Sequence, residues 1–351
     1  MAKSTGIIWA KSTFNAWTGC TKVGPGCDHC YAEAMMDKRL HVVQWGPGQA
    51  RKRTSPANWK QPLAWNREAP DSEFMGRKGF WPVFVNSASD VFDNEVDPQW
   101  RADLFALIRA TPNLTWLLLT KRIGNAEKML MEALGNEDLD TGARFYPIMP
   151  NVWIGATVVN QEEADRDIPK LLAVPAAKRF LSIEPMLGPI DLTAIPHRTG
   201  YGSSPCAGCG DEVFRDALDG STNCERGCDG PIIEWLGWVI AGGESGPQSR
   251  PAHPDWFRSL RDQCKAAGVP FLLKQWGEWQ IASAENGHHG RLMPDTGERY
   301  TWLDFGGKTA NPSAKGMSGK AYAMAKVGTK TAGNHLDGHQ HLEFPQLWNH
   351  P

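Results

Sequence analysis

Six short apolar runs, separated by helix-like segments, constrain the fold of this 351-residue chain more than any other feature. Strand-like runs that alternate with helical patterns indicate βα units, and repeated βα units build a parallel sheet. We therefore predict an α/β fold. The predicted strands span residues 82–86, 114–120, 151–157, 179–184, 236–241 and 269–274, and a first strand is expected near residues 6–9.

The sequence indicates two helix N-termini between these runs. Asp97 and His253 each stand directly before a proline, and this arrangement is typical of the first turn of a helix. The helix that begins at Pro254 is expected to end near Gly268 and to turn Cys264 inward. Cys264 is therefore predicted to be a core residue.

Polar residues follow the predicted strands in regular succession. One such residue is commonly a helix cap or part of a turn. Six strands in a row with polar ends indicate a site, because ligands of parallel α/β sheets and barrels bind where the carboxyl ends of the strands meet. The residues singled out are Asn86, Ser87, Ser89 and Asp90 after the second strand, Lys121 after the third, Glu184 at the fifth, Glu244 after the sixth and Lys274 at the last.

Three cysteines near the N-terminus, Cys20, Cys27 and Cys30, are one thiolate short of a closed tetrahedral site. A [4Fe-4S] cluster takes one thiolate per iron, so three cysteines leave a fourth iron open to a small molecule. A zinc site completed by His29 or His41 is an alternative, and cysteines that bind no metal are another. Spacing alone leaves these interpretations open.

A second set of cysteines has the spacing of a structural zinc site. Cys206 with Cys209 and Cys224 with Cys228 form two short knuckles separated by a polar, glycine-rich stretch. Four thiolates close the tetrahedral shell of zinc, so we expect a scaffold folded by its metal rather than a catalytic centre. An auxiliary iron-sulfur cluster and free thiols are the alternatives. Because residues 197–231 interrupt the alternation of strands and helices, we predict that they form an inserted zinc ribbon.

Composition limits the partners of the chain. The formal net charge of −2 gives no overall attraction to nucleic acid or to an anionic membrane. No apolar run approaches the roughly 18 residues that span a bilayer, and the N-terminus lacks the apolar core of a secretion signal, so we expect a cytoplasmic protein without membrane contact. Residues 38–67 mix seven lysines and arginines with three tryptophans. That combination can hold a nucleic-acid strand, although packing tryptophans in a solvated loop are the commoner cause.

Motifs at the cysteines and at the strand ends carry a resemblance to a known family. They are Thr18-Gly-Cys20, Gly26-Cys-Asp-His-Cys-Tyr-Ala32, Phe84-Val-Asn-Ser-Ala-Ser-Asp90, Leu118-Leu-Thr-Lys-Arg122, Leu181-Ser-Ile-Glu-Pro-Met-Leu-Gly-Pro189, Trp238-Val-Ile-Ala-Gly-Gly-Glu-Ser-Gly246 and Phe271-Leu-Leu-Lys-Gln-Trp-Gly277. Together they resemble a phage-associated three-Cys-motif family, which is itself similar to radical S-adenosylmethionine (SAM) enzymes. The resemblance covers most of the chain except the zinc-like insert.

The resemblance implies a partial (β/α)6 TIM-like barrel that holds a [4Fe-4S] cluster on Cys20, Cys27 and Cys30. It implies that SAM chelates the fourth iron and that an electron donor drives cleavage of SAM to a 5′-deoxyadenosyl radical. Residues at the end of the second strand are then expected to contact SAM; they are Asn86, Ser87, Ser89 and Asp90.

We therefore expect an iron-sulfur enzyme that modifies a nucleic acid or nucleotide, with a partner protein as a further possibility. The catalytic candidates are Lys121, Glu184, Glu244 and Lys274. The expected organisation is a barrel built from residues 1–196 and 232–280, the insert at 197–231 and a C-terminal extension at 281–351. The main rival is a non-enzymatic nucleic-acid-binding or partner-binding module with zinc at both cysteine sets. A hydrolase is a second rival, but the sequence shows no legible nucleophile-base pair.

Overall fold

A parallel sheet of seven strands forms the centre of the protein. The computed structural model describes residues 5–137, 144–145, 148–195, 213–215, 222–224, 232–282, 300–310 and 321–346. Strand order in space follows strand order in the chain, and all neighbouring pairs are parallel. The sheet curls into a half-barrel, which confirms the α/β prediction. Its strands are β1 (Ser12–Phe14), β2 (Pro82–Val85), β3 (Thr115–Thr120), β4 (Val152–Thr157), β5 (Lys178–Ile183), β6 (Trp238–Gly242) and β7 (Phe271–Gln275).

Helices lie between successive strands, as parallel pairing requires, except between β5 and β6, where the described residues hold only the 3-10 turn Ile232–Trp235 and two short strands. The helices at the two predicted starts, Pro98 and Pro254, are confirmed, and the Asp97 carboxylate accepts a hydrogen bond from the backbone N–H of Gln99 at 2.9 Å. The helices are α1 (Tyr31–Glu33, continued by a π-helical segment Ala34–Arg39), α2 (Pro56–Glu68), α3 (Pro98–Arg109), α4 (Ala126–Leu134), α5 (Gln161–Ala173), α6 (Pro254–Ala266) and α7 (Thr329–Ala332). Short 3-10 turns lie at Pro25–Cys27, Ala69–Asp71, Ile123–Asn125 and Ile232–Trp235.

Six of the predicted strands are confirmed, whereas the first was placed wrongly. The chain enters the sheet at β1, and residues 6–9 contribute no strand. Trp9 instead packs its ring 4.6 Å from the ring of Phe84 and 6.4 Å from that of Trp238. The apolar character of this segment therefore serves packing against the sheet, which a local pattern does not distinguish from strand pairing.

The two faces of the sheet have different tasks. One face packs against the helices and carries buried side chains such as Leu118 and Ile154. The inner face carries the alternate residues of each strand, because successive side chains of a strand point to opposite sides. Rings fill the amino-terminal half of this inner face: Trp153 and Phe180 lie 6.3 and 6.1 Å from Trp238, centroid to centroid. This aromatic layer leaves the carboxyl half of the inner face for polar groups.

Gly155 in β4 makes room for this aromatic layer. A Cβ atom at this position would come within 2.4 Å of the Phe180 ring. We predict that Gly155→Ala lowers the free energy of unfolding by about 1–3 kcal/mol, because the ring must leave its place in a close-packed core. Urea denaturation checks this, with Gly124→Ala as the control because its Cβ meets a flexible Lys170 side chain at 3.6 Å. Equal midpoints for the two variants would contradict the prediction.

The C-terminal part adds a second, antiparallel sheet. Its strands are β8 (Trp279–Ile281), β9 (Tyr300–Leu303), β10 (Thr309–Ala310) and β11 (Tyr322–Lys326), in the spatial order β8-β11-β9-β10. Two-stranded pairs occur at Trp17–Thr18 with Lys52–Arg53, Glu73–Phe74 with Arg77–Lys78, Asn136–Glu137 with Arg144–Phe145, Val213–Arg215 with Thr222–Cys224 and His335–Leu336 with His339–Gln340. Within the described ranges, no helix has the length and apolar character needed to cross a membrane.

Candidate functional site

A cavity of about 520 Å³ opens at the carboxyl ends of the central strands, on the inner face above the aromatic layer. Parallel sheets bind their ligands at this end. A larger depression of about 970 Å³ lies near the amino ends of β5 to β7 and contains none of the predicted site residues. By contrast, all eleven candidates from the first cysteine set and the strand ends line the first cavity: Cys20, Cys27, Cys30, Asn86, Ser87, Ser89, Asp90, Lys121, Glu184, Glu244 and Lys274.

The loop that carries the cysteines packs closely over the strand ends. Pro25–Cys27 forms a single 3-10 turn. A Cβ atom on Gly26 would lie 2.8 Å from the Val159 side chain and 3.3 Å from Cε of Lys121. Glycine is therefore needed for this approach. All three cysteines of the loop are free thiols.

Asp90 organises the cavity wall beside Cys20. Its Oδ1 accepts a hydrogen bond from Thr120 Oγ1 at 2.7 Å, and its Oδ2 accepts from the backbone N–H of Lys121 at 3.0 Å. Arg122 lies 3.3 Å from the same Oδ2 and donates to Cys20 Sγ, also at 3.3 Å. Because its oxygens are engaged within the protein, Asp90 is better interpreted as the residue that positions Arg122 than as a direct cofactor contact.

Arg122 also affects the chemistry of Cys20. Burial raises the pKa of the Cys20 thiol to about 11, and the neighbouring guanidinium acts in the opposite direction. The free thiol is therefore protonated at neutral pH, and a metal that binds there displaces a proton. A charged N–H donor on sulfur favours the thiolate form that metal binding needs.

Glu244 and Arg250 clamp the cysteine loop to the loop after β6. The Arg250 guanidinium donates to Glu244 Oε1 at 2.6 Å, to Asp28 Oδ2 at 2.9 Å and to the Pro25 carbonyl at 2.9 Å. Burial on its own would raise the pKa of Glu244, but hydrogen bonds from the Arg250 side chain and backbone outweigh it and lower that pKa. Glu244 is therefore an ionised partner of Arg250 and is poorly placed to act as a general acid.

We predict that Glu244→Gln lowers the free energy of unfolding at pH 7 by about 2 kcal/mol, since it removes charged hydrogen bonds in a largely buried position. The lowered pKa determines how this stabilisation depends on pH. The stabilisation by ionised Glu244 is fully present above the ordinary glutamate pKa of about 4.3 and is lost as pH falls through the folded-state pKa. In urea denaturation, the gap between wild type and variant should narrow from pH 7 toward pH 3. A gap that widens on acidification would refute the prediction, and exposed Glu132→Gln is the control.

Glu184 and Lys274 form an ion pair across the ends of β5 and β7. Glu184 Oε1 lies 2.6 Å from Lys274 Nζ and accepts a second hydrogen bond from Gln275 Nε2 at 3.1 Å. The pair offers a cation and an anion side by side. Such a pair can bind a ligand that carries both an amino group and a carboxylate, or it can exchange a proton with a bound group.

The loop after β2 presents one donor that the protein leaves unused. Ser89 Oγ donates to the Trp17 carbonyl at 2.9 Å, so it is engaged. Asn86 has a left-handed backbone (φ +56°), and its Oδ1 accepts from the backbone N–H of Ala16 at 2.8 Å. Its Nδ2 is buried without a hydrogen-bond partner. An unpaired buried donor costs about 1–3 kcal/mol, which makes Asn86 a candidate ligand contact.

The histidines proposed for a zinc site do not complete one. In the described part of the chain, no group of three or more His, Cys, Asp or Glu side chains is arranged to hold a metal ion. Nδ1 of His29 lies 3.1 Å from Glu244 Oε2, so the ring is directed at this carboxylate. The three thiols thus share a cavity wall without converging on a single ion.

The second cysteine set cannot be placed around a metal. Cys206, Cys209 and Cys228 lie outside the described residues. Cys224 ends the short strand Thr222–Cys224, of which the backbone alone is described. The zinc ribbon therefore stays a prediction from spacing.

Four of the ten basic and aromatic residues in 38–67 are shown to pack within the protein: Arg51, Arg53, Trp59 and Trp65. Trp65 is 3% exposed, and Trp59 packs edge-on against Phe14 with the Arg53 guanidinium over its ring. The side chain of Arg51 is 1% exposed and pairs with Asp93 at 2.8 Å. The interpretation of this stretch as a nucleic-acid surface is not supported for these residues, because their cations and rings are already engaged.

Fold and site together define a half-barrel α/β protein with a cysteine-lined cavity at the carboxyl ends of its strands. The chain belongs to the family described as "Protein of unknown function (DUF5131)", which matches residues 4–345. No curated protein matches the chain. No solved structure matches it either.

Two functional side chains were missed as site residues by the sequence reasoning. Arg122 ends one of the strand motifs but was given no role. Arg250 comes several residues after the end of β6 and belongs to none of the motifs. Both are arginines whose partners lie far away in the sequence: Arg122 reaches Cys20, and Arg250 reaches Asp28. The Thr-Lys-Arg run at the end of β3 was the one local signal for Arg122. No local signal pointed to Arg250.

Proposed function

We propose that this protein is an iron-sulfur enzyme in which Cys20, Cys27 and Cys30 hold a [4Fe-4S] cluster, and that it acts on a nucleic acid or nucleotide. The observation that carries the proposal is the shared cavity: three free thiols and the polar strand ends line one space at the carboxyl side of the sheet. The proposal includes a radical-SAM-like, partial (β/α)6 barrel, a phage association and a zinc ribbon at 197–231, for which the sequence motifs are the argument.

Three cysteines suit a [4Fe-4S] cluster, because each thiolate binds its own iron and the fourth iron is left open to a small molecule. The thiols of Cys20, Cys27 and Cys30 line the same cavity, which supports this proposal. Arg122 adds a charged N–H donor at Cys20 Sγ, and hydrogen bonds to ligating sulfur are one of the protein's means of tuning a cluster.

When bound, such a cluster would supply the electron for reductive cleavage of SAM. The residues of the chain would bind SAM and orient it at the cluster. The Glu184–Lys274 pair offers complementary charges to the amino and carboxylate groups of a methionyl unit. The aromatic layer beneath the cavity excludes water from that side.

Anaerobic purification, metal analysis and electron paramagnetic resonance of the reduced protein, with and without SAM, test this function. We expect about four irons and one zinc per chain and a signal that changes when SAM is added. Two zincs and no iron would overturn the proposal and favour a zinc-containing binding module. Four irons with a signal that does not change when SAM is added would support the cluster and refute the proposed SAM chemistry.

A further inference from the structure

Three features around the mouth of the cavity have no task in holding a cluster, and each is suited to a different part of one ligand. They are an exposed aromatic ring, an unpaired ammonium group and the unpaired amide donor of Asn86. The inference drawn from them rests on the proposed function, since it concerns the substrate of the same site.

The exposed ring is that of Tyr31, the first residue of α1. It is 59% exposed although it lines the cavity, and its hydroxyl donates to the Ser87 carbonyl at 2.7 Å. That bond fixes the ring against the loop after β2 and leaves a large apolar surface in water. Trp45 lines the same cavity. Fixed, exposed aromatic rings at a cavity are suited to stacking on the flat face of a nucleobase.

The unpaired cation is Lys121. Other charged side chains of the cavity wall form ion pairs: Arg122 with Asp90 at 3.3 Å, Lys274 with Glu184 at 2.6 Å and Glu244 with Arg250 at 2.6 Å. Lys121 makes no hydrogen bond or ion pair through its ammonium group within the described ranges, although Glu163 is near enough to feel its charge. An unpaired ammonium in a partly buried cavity is suited to an anion such as a phosphate.

We propose that the cavity takes a single nucleotide unit, with its base stacked on Tyr31 and its phosphate paired with Lys121. The Asn86 amide, 2% exposed and without an acceptor, supplies a hydrogen bond to an oxygen or ring nitrogen of the same unit. At about 520 Å³ the cavity is far too small for a paired duplex, so the substrate is one nucleotide, free or turned out of a strand.

Calorimetric titration with ribonucleosides and with their 5′-monophosphates separates the two contacts. Lys121→Met should weaken binding of the monophosphates about tenfold and leave the nucleosides unchanged, because it removes one charged hydrogen bond. Tyr31→Ala should weaken both series about tenfold through lost stacking, whereas Tyr31→Phe, which keeps the ring, should weaken them little. Lys60→Met alters an exposed lysine of α2 outside the cavity and is the matched control.

Equal losses for nucleosides and monophosphates in Lys121→Met, or wild-type protein that binds neither series, would overturn this inference. Iron content is measured in the same samples. Phosphate-dependent binding by a protein that holds no iron would refute the cluster and keep the nucleotide site. A fully loaded cluster with no nucleotide binding would support the cluster and refute the nucleotide site.

Discussion

Cys27→Ala is expected to abolish the proposed iron-sulfur cluster while leaving the half-barrel folded. Cys27 closes the 3-10 turn Pro25–Cys27 in the loop over the strand ends, and it belongs to no strand or long helix of the fold. Losing one of three thiolates leaves the cluster with two protein ligands. Iron should therefore fall from about four per chain to near zero, with the absorption band of the cluster lost. The far-ultraviolet circular dichroism spectrum should stay that of the wild type.

Two further cysteine variants make this result specific. Cys264 is fully buried in α6 and does not line the cavity, so Cys264→Ala should cost about 1 kcal/mol of stability and leave iron unchanged. Cys224→Ala should lower zinc and chiefly destabilise the predicted insert. Full iron in Cys27→Ala, or loss of iron in Cys224→Ala with zinc unchanged, would show that the roles of the two cysteine sets were assigned wrongly.

The sequence predicted the sheet and the position of the site because both depend on short-range patterns. Buried strands are short apolar runs, and their polar ends mark the edge at which βα loops meet. That reasoning located six of seven strands and placed Lys121, Glu184 and Lys274 around the cavity. It failed at residues 6–9, where Trp9 is apolar because it covers the inner face of the sheet.

Tertiary pairing decided what the sequence pattern left open. Arg51 is basic in the sequence but is buried against Asp93, so it offers no charge to a partner. Glu244 was a catalytic candidate by position, and Arg250 takes up its carboxylate. Asp90 was a candidate cofactor contact, and Thr120 and Arg122 take up its oxygens. Each of these pairings depends on a partner that no local pattern names, whereas the unused groups of Lys121 and Asn86 stand out once the pairs are known.

Gly243→Ala is expected to cause the largest loss of stability around the site. The loops after β6 and β7 cross so closely that a Cβ atom on Gly243 would lie 1.9 Å from the Trp276 carbonyl oxygen. Gly277, with φ +80°, meets the Glu244 carbonyl at 2.1 Å in the same way. A clash with backbone cannot be relieved by a side-chain rotation, so we expect a loss of about 3 kcal/mol or more in the free energy of unfolding.

The displacement should also reach the cysteine loop. Moving Gly243 moves Glu244, and Glu244 holds Arg250, which donates to Asp28 and to the Pro25 carbonyl. Iron occupancy in Gly243→Ala should therefore fall even at temperatures where the barrel is folded. Gly188→Ala, whose Cβ would meet Asn160 at an ordinary 3.5 Å, is the matched control and should keep both stability and iron. A Gly243→Ala protein that is destabilised yet fully loaded would show that the arginine clamp does not position the cysteines.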